Sequence, residues 1–199
     1  MGDMALAVTE QPAPLAEPVP HVFTVGEFDD MCEAGIFAPG VRVELVDGVV
    51  IDVPPSNPPH SGNIAAFDHV FKHRLGTRAG VRPQLSLPLS EISEPEPDLA
   101  IVRWDENFYR DRHPGPDETF AVVEVSYSSL AFDRKTKKRV YGAAGIPEYW
   151  IVDVRGERIE IHRRPHALGY NEMHVAERGD AITFVAFPDV PFTVDELLG

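Results

Sequence analysis

Cysteine is nearly missing from this chain, which has Cys32 and no other. One thiol excludes an intrachain disulfide, and 199 residues are enough to bury a core without one. No run approaches the roughly 18 consecutive apolar residues that a membrane-crossing helix needs, so no membrane association is expected. No basic-then-apolar leader opens the chain, which together with the lone cysteine reads as a protein of a reducing cytoplasm. The Met1-Gly2 start lacks the Ser or Thr that myristoylation requires at the sixth position, where Leu6 stands. Positive charge is also scarce. Lys plus Arg number 18 against 32 Asp plus Glu, for a net charge of −14. That balance excludes a protein that coats nucleic acid through an overall basic surface.

Residues 1–20 contain Pro12, Pro14, Pro18 and Pro20, no Lys or Arg, and no apolar periodicity. Such a segment cannot offset the entropy of ordering its backbone, so a flexible tail is expected, followed by one domain over 21–199. Thr24-Val-Gly-Glu27 has the spacing of a capping box and predicts a short helix to about Gly35. Residues 41–46 and 49–53 are β-branched runs joined by Asp47-Gly48, the signature of a tight hairpin. A helical pattern from about His60 to Leu75 places Ile64, Phe67, Phe71 and Leu75 on one face, with Gly76 near its stop. Strands are expected over 81–89, 98–103, 119–126, 149–154, 158–162, 170–175 and 182–186, interrupted by one helix over about 133–144. Strands outnumber the helices set among them, and neither an internal repeat nor a second domain boundary is visible. The fold class is therefore α/β or α+β, with one mixed sheet flanked by helices.

Two carboxylates are out of place for packing. Thr119-Phe-Ala-Val-Val-Glu124-Val-Ser126 reads as a strand covered on both faces, yet carries Glu124 in its apolar run. A buried carboxylate must be protonated, paired or bound to a cation, and a structural ion pair is the plain alternative to a metal site. Asp98 opens the apolar run Leu99-Ala-Ile-Val102 after Pro97, where a turn residue is the plain alternative. If their strands are neighbours, both acids converge at one end of the sheet on a hard cation such as Mg²⁺, with Mn²⁺ as its substitute. In the basic stretch Arg134 to Arg139, helical geometry sends Lys135, Lys138 and Arg139 elsewhere but places Lys137 with Asp133, Val140, Tyr141 and Ala144. Lys137 is the cation expected to reach inward, the alternatives being snorkelling or an ion pair with Asp133 four residues earlier. Two metal-holding acids and an ammonium are the parts of metal-assisted phosphodiester hydrolysis.

Several segments in the same order resemble the Uma family of bacterial candidate restriction endonucleases, within the PD-(D/E)XK nuclease superfamily. They are Val43-Glu44-Leu45-Val46-Asp47-Gly48, His60, Glu96-Pro97-Asp98-Leu99-Ala100, Val122-Val123-Glu124-Val125-Ser126, Asp133 with Lys137 and Tyr141, and Gly145-Ile-Pro-Glu-Tyr-Trp-Ile-Val-Asp153. The resemblance covers nearly everything after the tail and implies a restriction-endonuclease-like core. It makes Asp98 and Glu124 the metal-binding acids, Glu44 a further acidic member and Lys137 the lysine. The superfamily's usual lysine position, two residues after the strand glutamate, holds Ser126. A lysine from the following helix matches other branches, and Lys137 fits them. His60 matches a recurrent family position without an assigned role. His69 and His73 share a helix face but have no third ligand for zinc.

The leading expectation is a Mg²⁺-dependent endonuclease that hydrolyses phosphodiester bonds, with DNA the substrate by resemblance and a homodimer implied by the need to cut two strands. A catalytically weak or inactive binding and assembly module of the same fold is the alternative, and a hydrolase of small phosphoesters is a third. The net charge excludes only tight, nonspecific, metal-free DNA binding, since a divalent ion inverts the local field of the acids that hold it.

Overall fold

The structure, a computed structural model, describes residues 19–199; the expected tail over 1–20 lies, but for its last two residues, outside them. Thr24 caps α1 (Val25–Glu33) as its spacing predicts. Its hydroxyl accepts from the Glu27 N–H at 3.2 Å, and the Glu27 carboxylate accepts from the Thr24 N–H at 2.8 Å. Strands β1 (Arg42–Val46) and β2 (Val49–Val53) form the antiparallel hairpin. Its turn holds Asp47 at φ 51° and Gly48 at φ 72°, the positive angles this pair tolerates. Helix α2 (Pro58–Leu75) begins earlier than expected because Asn57 caps it, accepting from the His60 N–H at 3.0 Å. Pro58 and Pro59 occupy the opening positions, where a missing N–H is harmless.

The central sheet has six strands in chain order: β3 (Ala79–Pro83), β4 (Leu99–Arg103), β5 (Thr119–Ser126), β6 (Glu148–Asp153), β7 (Arg158–His166) and β8 (Gly169–Glu177). All neighbours are antiparallel except β5 and β6, so the sheet is mixed, as expected. A parallel pair needs a crossover connection. Here it is helical, with α3 (Leu130–Phe132), a wider π-type turn (Asp133–Lys137) and α4 (Lys138–Ala143) in series.

Two expected strands are corrected. The run over 81–89 stops at Pro83, because Gln84 turns with φ 48°. Residues 84–98 instead fold back on themselves, with the Leu87 and Leu89 N–H groups donating to the Pro95 and Ser93 carbonyls, each at 2.9 Å. The segment expected over 182–186 supplies only β9 (Ala181–Ile182), paired with β10 (Phe192–Thr193); Phe184 and Phe187 serve the core as side chains. The final helix, α5 (Val194–Leu198), lies outside the expected elements, although Thr193-Val-Asp-Glu196 repeats the spacing of Thr24 to Glu27 and Thr193 caps it.

Alternation along β5 sorts its side chains between two cores. Ala121, Val123 and Val125 face one built with α2 and the C-terminal segment. Val122 faces the other, with Val46, Val140 and Tyr141. Glu124 shares the parity of Val122, so the strand itself delivers this carboxylate to the hairpin and crossover side. Tyr149 and Trp150 are fully buried within β6.

His162 is buried on β7 in a cluster with the rings of Tyr149 and Tyr170. Burial, aided by Lys138, pushes its pKa down from 6.5 to about 4. The unfolded chain therefore binds a proton that the folded chain refuses between those values, so this residue's contribution rises with pH and is lost as pH falls. In denaturant titrations, the stability of the wild type relative to His162→Phe is expected to increase from pH 5 to pH 6.5. An unchanged difference would mean that His162 accepts its proton in place.

Candidate active site

A cleft of about 300 Å³ opens where the β1–β2 hairpin, the start of α2 and the ends of β4 and β5 meet the crossover. Glu44, His60, Gln84, Asp98, Glu124 and Lys137 are among its walls. The sheet sets the two central acids. Register pairs Leu99 with Val123, which makes Asp98 and Glu124 neighbours across the β4–β5 ladder. Backbone N–H groups of the two strands hold both carboxylates. The Asp98 N–H donates to Glu124 Oε2 at 3.2 Å, and the Val125 N–H donates to Asp98 Oδ2 at 2.8 Å.

Lys137 arrives from the π-type turn. Its ammonium donates to Glu124 Oε1 at 2.9 Å and lies 3.0 Å from Glu44 Oε2 on β1. Tyr141, one turn further along, donates its hydroxyl to the same Glu124 Oε1 at 2.7 Å. Asp133 does not pair with Lys137 in an i, i+4 bridge; its Oδ2 accepts from the Ser126 and Ser129 hydroxyls, each at 2.6 Å. On the open side, His60 Nε2 lies 3.1 Å from Asp98 Oδ2, and its buried Nδ1 has no hydrogen-bond partner among the described residues.

Two carboxylates, Glu44 and Glu124, therefore hold one buried ammonium, in a cleft that Asp98 and Asp133 also line. Burial pushes the Glu124 pKa up, because Lys137 lowers it less than desolvation and the neighbouring acids raise it. Burial also raises the pKa of Glu44 and Asp133. Desolvation alone would depress Lys137, but Glu124 and Glu44 outweigh it and hold the ammonium above its ordinary range. The hydrogen bond to Asp98 raises His60. Negative charge in excess of its internal counter-charge is the pattern that a divalent cation completes.

The donors can be tested against such an ion. Among the described residues no three His, Cys, Asp or Glu side chains converge as ligands for one metal. A cage built wholly from side chains is thus not what this cleft offers. Mg²⁺ commonly takes one or two carboxylates and completes its octahedron with water and substrate phosphate. Asp98 and Glu124, adjacent oxygen donors at an open cleft, fit that arrangement.

The sequence model of the Uma2 family, described as "Putative restriction endonuclease", matches residues 25–195. The chain belongs to the Uma2 family. In three dimensions it resembles the crystal structure of "a putative nuclease belonging to DUF820 from Anabaena variabilis ATCC 29413", with a TM-score of 0.70 and 16% identity over 88% of this chain and 97% of that one. At that identity the likeness speaks to the fold, which is thus a nuclease-type mixed α/β fold. No curated protein matches the chain. Among the described residues no helix is long and apolar enough to cross a membrane.

Glu44, Asp98, Glu124 and Lys137, the four residues singled out in this Uma2 chain from sequence, are brought together by the fold. Tyr141 and Asp133 were visible only as members of a spaced motif, and Gln84 gave no signal, since nothing in an extended run announces a turn that aims a side chain inward. His69 and His73 stack with ring centroids 6.3 Å apart on α2, away from the cleft-lining residues. Several cations on and just after α2 are paired: Lys72 with Asp68, Arg74 with Glu196 and Arg78 with Asp189.

Removing one partner of a buried ion pair leaves uncompensated charge, at a cost of about 3–5 kcal/mol. Lys137→Met is therefore expected to lower the stability of the Uma2 chain by about 3 kcal/mol or more in chelator-treated buffer. Adding Glu124→Gln should restore part of the loss. Additive single and double variants in urea titrations would refute the coupling.

Proposed function

We propose that this protein is a metal-dependent endonuclease that hydrolyses phosphodiester bonds in DNA, using Mg²⁺ or, in its place, Mn²⁺. The observation that carries this reading is the delivery of the Lys137 ammonium, 2.9 Å from Glu124 and 3.0 Å from Glu44, into a carboxylate set at the wall of an open cleft. A purely structural ion pair needs one acid for one base. A nuclease of the PD-(D/E)XK type needs this surplus.

Asp98 and Glu124 would hold the metal. When bound, a divalent ion polarises the phosphate and acidifies a water. Around it, the chain's own residues have distinct tasks. The Asp98 N–H donating to Glu124 and the Val125 N–H donating to Asp98 fix the two carboxylates relative to each other. Lys137 is held as an ammonium, so it serves as a hydrogen-bond donor that orients the attacking water and stabilises charge developing on the phosphate, not as a base. Glu44 fixes that ammonium from the hairpin side and Tyr141 fixes Glu124 from the helix side. Residues 21–199 act as one restriction-endonuclease-like domain, working as a cytoplasmic homodimer so that two sites address two strands.

A binding and assembly module without catalysis is the second reading, favoured by one observation. Every oxygen of Asp98 and Glu124 already has a protein donor within 3.5 Å, so the network is satisfied internally. Calorimetric titration with Mg²⁺ and Mn²⁺ separates the two, heat of binding supporting the nuclease and its absence the module.

Cleavage of supercoiled plasmid and of single-stranded DNA in Mg²⁺ or Mn²⁺ tests the activity directly. The Asp98→Ala, Glu124→Ala double variant is expected to lose at least about 100-fold in rate, because the metal contributes several kcal/mol of transition-state stabilisation. Equal rates in wild type and double variant would overturn the assignment.

A further inference from the structure

A second open depression, of about 370 Å³, adjoins the cleft and shares Tyr127 and Ser128 with it as walls. It lies over the ends of β5 and β6, where Arg134, Asp153 and Arg155 supply its charged lining beside Ser126, Leu130 and Ala131. The charges here are layered. Asp153 and Glu160 are buried, at 7% and 8% side-chain exposure, beneath Arg134 and Arg158, at 38% and 39%. Arg134 lies 3.6 Å from Asp153 and also pairs with Glu160, while Arg158 reaches Asp153 at 3.2 Å. Acids sit below and guanidinium groups face out.

Arg155 stands apart from these. Cations lining the two depressions are otherwise engaged: Arg42 by Glu96 at 2.8 Å, Lys137 by Glu44 and Glu124, and Arg134 by Glu160. Arg155 is exposed and has no ion-pair partner among the described residues. It lies over the Tyr127 ring, 4.5 Å from the centroid. Stacking on an aromatic face restrains a guanidinium while leaving its N–H edge free. Ser128, exposed beside it on the shared wall, carries a hydroxyl donor. A guanidinium edge and a hydroxyl are the groups with which proteins grip nucleic-acid phosphates.

We propose that this depression is a phosphate subsite, in which Arg155, oriented by Tyr127, and Ser128 hold a backbone phosphate next to the one placed in the catalytic cleft. The inference rests on the nuclease reading and adds where the strand leaves the cleft: over Tyr127 and Ser128, toward β6. It also explains how an acidic protein holds an anionic polymer. The attraction is local, confined to a rim where the acids lie underneath the cations.

The test uses the full chain and a fluorophore-labelled DNA duplex. Kd is measured by anisotropy in Mg²⁺ on an Asp98→Ala background across a salt series, and kcat and KM are measured on the catalytically intact chain. Arg155→Ala is expected to raise Kd and KM about tenfold with kcat within about twofold, as befits one lost charge-assisted contact. The slope of log Kd against log salt should fall by about 0.9, the value for one phosphate on duplex DNA. Arg155→Lys should recover part of the affinity, since it keeps the charge and loses the fork. Unchanged KM and salt slope in a chain that still cleaves would overturn the subsite and leave the nuclease reading standing. Tight binding with the predicted slope change but no cleavage would do the reverse. A chain that neither binds nor cleaves DNA would overturn both.

Discussion

The buried ammonium of Lys137 is the constraint around which the rest of this structure is arranged. It joins three parts of the chain that sequence keeps far apart: the hairpin through Glu44, the central sheet through Glu124, and the crossover that carries it. Each carboxylate alone would be costly to bury. Together with one lysine they are tolerated, and the hairpin is held against the sheet by charge as well as by the packing of Val46 on Val122, Val140 and Tyr141. The same bonds that hold the fold together there also position the candidate chemistry, so stability and site geometry cannot be varied independently.

Strand geometry explains why the acids could be found before the fold was known. A strand running through a covered sheet has an apolar vocabulary, and Glu124 interrupts it between Val123 and Val125. Asp98 stands at a strand start, and antiparallel register does the remaining work of placing it opposite Glu124. Lys137 was recoverable from angular bookkeeping on a helix, because its neighbours Val140 and Tyr141 are buried with it. The residues that sequence left silent act through bends and not through periodic elements. Gln84 reaches Asp98 Oδ1 at 3.5 Å only because its own backbone turns to φ 48°. Residues 84–89 at the start of the fold-back read as strand for the same reason: their buried Leu87 and Leu89 have strand-like spacing, but the N–H groups are satisfied within the loop and not by a neighbour in the sheet.

Net charge changes its meaning once the side chains are placed. Several of the 32 acidic residues face inward, around Lys137 or beneath Arg134 and Arg158. An overall sum counts them equally with surface acids, although desolvation and pairing remove much of their outward field. Exposed arginines over buried acids give a small region a sign opposite to that of the whole molecule. Composition bounds the far field, but recognition at a cleft edge is decided within a Debye length, about 8–10 Å in ordinary salt.

The wide turn Asp133–Lys137 accommodates one more residue than a regular α-turn, so it absorbs that residue while the segments on either side keep their facing. Wound as a regular α-helix with all its residues kept, the crossover would turn its later side chains by roughly 100° relative to the earlier ones. Lys137 and Tyr141 would then leave Glu124 together, with no change in composition, charge or core volume. The lysine's contact thus depends on how the backbone is wound over one short segment, a property that residue identities taken one at a time do not carry.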